Sequence, residues 1–188
     1  MILSVVMILS MMPAISWATV TEPDETEWIQ GIIAQLEMEG HARSVKTKIG
    51  STDVYMYIYS KSIWDEDAQN FEQDSVFIFQ PGNSEIPGYE NELESRPWAK
   101  ANPSAVYIAD GVTGIGSHAF DTISTLNKLE IEDPASLTYV GDYAFQNCNK
   151  LTGPIDLSGV TNMGEAAFYG CSRLQKVTLG RRLASNPR

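Results

Sequence analysis

The sequence predicts an α+β N-terminal module followed by a short β-rich solenoid of repeats. Three observations lead there. A hexapeptide recurs at Ile115 to Phe120, Val140 to Phe145 and Met163 to Phe168, its copies starting 25 and then 23 residues apart. Alternating apolar pairs fall at a matching period, and self-similarity of this length marks units that bury their apolar faces only by stacking. Upstream of the repeats, one helical stripe and two β-prone runs share a strongly acidic stretch.

Taken in chain order, residues 1 to 18 carry no charge, run through Ile2-Leu3-Ser4-Val5-Val6-Met7-Ile8-Leu9 and end at Ser16-Trp17-Ala18. Small residues at minus three and minus one of Thr19 read as a cleaved secretory signal, although no Lys or Arg precedes the apolar run. Pro13 interrupts a run already shorter than the ~20 residues of a membrane span. Mature chain is therefore expected from Thr19, outside the cell and without stable membrane insertion.

Asp24, three residues ahead of Glu27, is a helix-capping candidate. Trp28, Ile32 and Leu36 recur at spacing four with Ile29 and Ile33 beside them, and Gly40 ends the pattern, which predicts a helix over 25–39 packed on its own domain. Val54 to Tyr59 alternates aliphatic residues with tyrosines, and Ser75 to Phe79 is a second β-prone run, so two antiparallel strands are expected. The tyrosines at 55, 57 and 59 suit either a half-exposed binding face or packing beneath the helix. Asp65-Glu66-Asp67 lacks the Gly and terminal Glu of a calcium loop and reads as a solvated turn. Gln80 to Tyr89 is turn-rich and Glu90 to Glu94 acidic, the composition of a linker. Trp98, beyond it, is expected to cover the open end of the first repeat.

The charge distribution supports a boundary near Asn102-Pro103. Residues 19–104 hold 16 acidic and 6 basic side chains, against 8 and 7 in 105–188, within a net charge of −11. The expected organisation is a signal at 1–18, an acidic module with linker at 19–102, and repeats at 103–188 in three units plus a partial fourth. Such acidity argues against nucleic acid, whose phosphates demand Lys and Arg.

Within each unit, Leu126, Leu151 and Leu174 follow the Phe by six residues. Strand pairs Val106/Ile108, Leu129/Ile131, Ile155/Leu157 and Val177/Leu179 set the buried side. The slot three residues after Phe holds Ile123, Cys148 and Cys171. A position shared with Ile favours core thiols, with a disulfide between neighbouring units as the alternative. Extra residues near Pro134 and a Gly153-Pro154 pair depart from the pattern.

Residues Pro103 to Gly180 resemble the BspA-like leucine-rich repeats, whose units read V-x-I, a turn, G-V-T-x-I-G-x-x-A-F and G-C-x-x-L. Gly111-Val112-Thr113-Gly114-Ile115-Gly116 and Ala167-Phe168-Tyr169-Gly170-Cys171-Ser172-Arg173-Leu174 carry the resemblance. It implies a leucine-rich-repeat fold and a secreted or cell-surface protein that adheres to an extracellular protein or glycan, such as host matrix or a mucosal surface.

Outward strand residues Tyr107, Glu130, Asp156 and Thr178 alternate with the buried pairs and form the candidate ligand-binding row. No cofactor, metal site or catalytic residue is expected: phosphate loop, nucleophile elbow and metal-ligand spacing are all missing from the sequence. His118 occupies a variable slot of the turn, and His41 follows the helix-ending Gly. Two other classes remain open. A structural remnant of a larger adhesin is motivated by the absence of a fourth Ala-Phe turn, and an enzyme would need its site in the N-terminal module.

Overall fold

The computed structural model describes residues 26–43, 46–49, 54–67, 69–80, 85–90, 96–98, 101–181 and 183. The expected signal and Asp24 lie outside them. Helix α1 (Glu27–Met38) starts on Thr26, whose hydroxyl accepts from the Ile29 N–H, so the described cap is Thr26. At its other end Gly40 takes a left-handed φ of +86°, and the N–H groups of Gly40 and His41 bond back to Glu37 and Leu36. This Schellman closure is the physical content of the predicted stop.

Strands β1 (Ala42–Arg43) and β2 (Thr47–Lys48) both pair with β3 (Tyr55–Asp65), which forms a long antiparallel hairpin with β4 (Asn70–Gln80). The repeats then supply β6 (Ala105–Ile108) with β7 (Gly114–Ile115), β8 (Lys128–Ile131) with β9 (Tyr139–Val140), β10 (Pro154–Leu157) with β11 (Asn162–Met163), and β12 (Lys176–Leu179). Strand β4 pairs in parallel with β6, so one sheet runs from the hairpin into the repeats across residues 102 and 103. Residues 85–90, read from sequence as linker, also join the array. Strand β5 (Glu85–Ile86) pairs in parallel with β7, and Ile86 is fully buried. Val76 to Phe79 are apolar on both faces: Phe77 and Phe79 enter the repeat core while Val76 and Ile78 pack under the helix, so β4 can sit beside the first repeat strand.

The core lies between two stacks of parallel strands. Val106, Ile108, Leu129, Ile155 and Leu157 enter from one stack, Ile86, Ile115 and Val140 from the other. Rings climb between them: Trp98 on Phe120, Phe120 on Phe145 and Phe145 on Phe168, with centroids 5.6, 5.2 and 5.1 Å apart. Trp98 thus occupies the Phe slot of the preceding coil, and its structural role follows from that. The motif glycine answers to close approach: a Cβ at Gly116, Gly141 or Gly164 would run into the backbone of the coil before it. Cys148 and Cys171 are free thiols, each donating to a carbonyl one coil back, at Phe120 (3.2 Å) and Phe145 (3.1 Å). Burial pushes both thiols above their ordinary pKa.

On the outer face, α1 lies across the first strands. Ile29, Ile32 and Leu36 pack with Tyr57, Tyr59, Val76, Ile78, Ala105 and Tyr107. The tyrosines at 57 and 59 therefore lie beneath the helix, the second of the two roles their pattern allowed. His41, buried behind the helix end, bonds Asp74 through Nε2 at 3.1 Å, and Asp74 accepts from the Ser104 hydroxyl.

Candidate functional site: a cleft where the strand face splits

The outward row is in register where strands pair. Tyr107 stands opposite Glu130, and Asp156 opposite Thr178. Between these two pairs the sheet divides, because β8 closes the six-stranded sheet while β10 pairs with β12. Pro154 opens β10 and has no N–H to give a ladder, and Gly153 before it adopts φ +103°. The Gly153-Pro154 departure noted in the sequence is thus the local cause of the split.

A cleft of about 250 Å³ sits at this split, lined by Trp28, Leu129, Glu130, Ile131, Pro154, Ile155 and Asp156. Trp28 leans over it from the first turn of α1, its ring edge-on to Tyr107 at 6.0 Å. Lys128 bridges the row, donating to the Tyr107 hydroxyl at 3.0 Å and pairing with Glu130 at 2.9 Å. Burial works against its charge, but these hydrogen bonds outweigh it and raise its pKa. Asp156 uses Oδ1 to accept the Ser158 N–H at 2.9 Å, a turn contact that fixes the carboxylate at the rim.

The four candidate residues therefore divide. Glu130 and Asp156 meet at the cleft, and Thr178 lies on the far strand of the same face. Tyr107 is 6 % exposed, which corrects its place in an open row: α1 covers it through Trp28. Trp28 is the cleft residue that sequence reasoning did not select. Its stripe position pointed only to the core, and nothing in the spacing told that the first turn of α1 would come to rest beside the cleft. His118, expected on the turn surface, stacks on Tyr143 at 5.0 Å and meets Asp121 at 2.8 Å. Among the described residues no group of His, Cys, Asp or Glu could hold a metal ion.

The repeat sequence has a counterpart among known families. The description "BspA type Leucine rich repeat region" matches residues 91–186 in six copies, half of the chain. The chain belongs to the BspA-type leucine-rich repeat family. Its members generally serve in surface and protein interaction and are generally non-catalytic. Among solved structures, a leucine-rich repeat protein from Eubacterium ventriosum ATCC 27560 is similar at 17 % identity and a TM-score of 0.43, covering 76 % of this chain and 45 % of that one. The BspA-type chain described here thus spans less than half the length of that protein. No curated protein matches the sequence. Among the described residues, no helix is long and apolar enough to cross a membrane.

Proposed function

We propose that this BspA-type chain is a secreted or cell-surface recognition protein whose units stack as a short solenoid and that binds an extracellular protein or glycan without performing chemistry. The observation that carries the reading is the cleft of Trp28, Glu130 and Asp156, on the strand face at the edge of α1. Its volume of about 250 Å³ falls just below the range of about 300 to 1,000 Å³ for drug-sized ligands and suits one protruding side chain or one sugar ring. An aromatic wall offers apolar contact with a fixed geometry, and two carboxylates favour a ligand bearing cationic or hydrogen-bond-donating groups. The uncharged leader at residues 1–18 supports export, the family's general surface and protein-interaction role supports recognition, and adhesion to host matrix or a mucosal surface is the setting we infer.

The test is a binding screen of the chain from Thr19 against immobilised matrix proteins, mucins and glycans, repeated with Glu130→Gln and Asp156→Asn combined. The Asn keeps an oxygen for the Ser158 N–H, so the double variant should hold its Tm within about 2 °C. Its Kd for any captured ligand should weaken at least about tenfold. An unchanged Kd would remove the cleft from the reading, and the absence of saturable binding to every surface would remove recognition itself.

A further inference from the structure

Parallel strands of the outer face are tied by a ladder that advances two residues at a time. The Lys128 and Glu132 N–H groups donate to the Ser104 and Ile108 carbonyls, so the main-chain groups of residues 128, 130 and 132 point back at β6. Those of Leu129 and Ile131 point the other way, toward β10. The first rung on that side is made, from the Thr152 N–H to the Asn127 carbonyl at 3.0 Å. The next would run from residue 154 to Leu129, and Pro154 has no N–H to give. The rung after it, from Asp156 to Ile131, is also missing.

The carbonyls of Leu129 and Ile131 therefore face the cleft with no donor among the described residues. Two carboxylate oxygens join them. Glu130 uses Oε1 for Lys128 and Asp156 uses Oδ1 for the Ser158 N–H, which leaves Oε2 and Oδ2 without a partner among the described residues. The same strand edge also presents the Leu129 and Ile131 N–H groups, but acceptors outnumber donors and two of them carry charge. The site calls for a cation rich in N–H groups.

Elsewhere in the fold the same need is met by a guanidinium. At the closed end of the array, Arg96 Nη1 donates to the carbonyls of His118, Ala119 and Asp121 at 3.4, 3.3 and 2.8 Å, and the Trp98 indole N–H shares the Ala119 oxygen. A guanidinium suits such a place because it is planar, carries five donors and no acceptor, and is weakly hydrated, so its faces lie readily against aromatic surface. A lysine ammonium is compact, strongly hydrated and offers three donors. The cleft repeats the setting of Arg96, with acceptors beside an indole and buried Leu129 and Ile155 among its lining, but holds no arginine of the described residues.

We propose that the cleft takes an arginine side chain of an extracellular protein partner. The inference rests on the recognition reading of this cleft and narrows its ligand to a guanidinium. Entering where β8 and β10 part, the guanidinium donates to the Leu129 and Ile131 carbonyls and to the free oxygens of Glu130 and Asp156, with the Trp28 ring beside it for cation–π contact. The net charge of −11 draws a basic partner toward the chain.

The experiment is amide NMR of the chain from Thr19, titrated with the peptide acetyl-Gly-Gly-Arg-Gly-Gly-amide to about 20 mM, since one side chain alone supports only millimolar binding. Saturable shifts are expected at the Leu129, Ile131 and Asp156 amides and at the Trp28 indole N–H. The same peptide with lysine, which loses the planar fork, or with citrulline, which loses the charge, should bind at least about fivefold more weakly. Glu130→Gln and Asp156→Asn combined should weaken the arginine peptide at least about tenfold. Four results overturn the proposal: no saturable shift at the cleft; equal binding by the lysine peptide, which leaves charge alone as the cause; arginine binding unchanged in the double variant; or cleft amides that move on R182Q and R188Q without peptide, which assigns the site to the chain's own end. The recognition reading fails separately. A matrix or mucin ligand that is weakened by the double variant, while the arginine peptide leaves the cleft amides unmoved, keeps that reading and removes the arginine.

Discussion

The two ends of the repeat array are built from the same motif and finished in different ways. At the N-terminal end, Trp98 takes the place of a ladder Phe, Arg96 and the Trp98 indole donate where backbone N–H groups would, and α1 lies over the outer face. The C-terminal end keeps the repeat sequence with nothing described beyond it, so Phe168 and Val177 remain half-buried where Phe145 and Leu157 are enclosed. A coil of this type is stable by contact on both sides, and an end is stable only if something other than a coil can imitate one. The imitation at the N-terminal end uses side-chain donors of fixed geometry, an indole and a guanidinium, whereas a coil's C-terminal side presents N–H groups and calls for acceptors.

The sharpest way to break the comparison is to delete the same ring at both places. Phe145→Ala should cost about 3–5 kcal/mol in urea denaturation, since the ring is stacked on both faces. Phe168→Ala, with one described ring neighbour and partial exposure, should cost only about 1–2 kcal/mol. Equal losses would mean that the last coil is as enclosed as the middle one. A smaller effect is expected at the cap. Arg96→Met keeps the buried stem but strands the carbonyls it serves, for a loss of about 1–3 kcal/mol, whereas Arg173→Met at the exposed end should stay within about 0.5 kcal/mol. Similar values at both sites would deny Arg96 its capping role.

The smallest effect is the contribution of Tyr89, at the closed end, to the pH dependence of stability. Burial pushes the Tyr89 hydroxyl up to about 12, with the Arg96 charge working in the other direction. The unfolded chain releases that proton near pH 10, so between about pH 10 and 12 the folded state holds more protons and stability falls as pH rises. Below pH 10 the contribution is complete. Tyr89→Phe should make the decline of Tm across that window shallower than in the parent chain, and an unchanged slope would place Tyr89 in solvent.

Much of the fold was legible in residue order because it rests on local periodicity. The hexapeptide, the strand pairs and the Leu six residues after each Phe locate the coils, and Trp28, Ile32, Leu36 and Gly40 locate the helix. Residues 85–90 were misread because a two-residue strand has no periodicity of its own: Glu85–Ile86 is a strand only through its pairing with Gly114–Ile115. The cleft was half legible. Glu130 and Asp156 follow from strand alternation, but the removal of Tyr107 and the addition of Trp28 depend on where α1 comes to rest.

The sequence alone determined the repeat register, the family, the buried Phe ladder and the acidic character of the chain, since each is a property of spacing or composition. Tertiary structure alone decided that the hairpin continues the repeat sheet, that Arg96 and Trp98 finish one end with hydrogen bonds, and that α1 covers the outer face over β6 and brings Trp28 to the edge of the cleft beside β8. Those outcomes turn on contacts between residues twenty or more positions apart, as between Arg96 and Asp121 or Trp28 and Tyr107. Periodicity specifies which side of a strand is apolar, and it carries no information about which distant segment arrives to cover it.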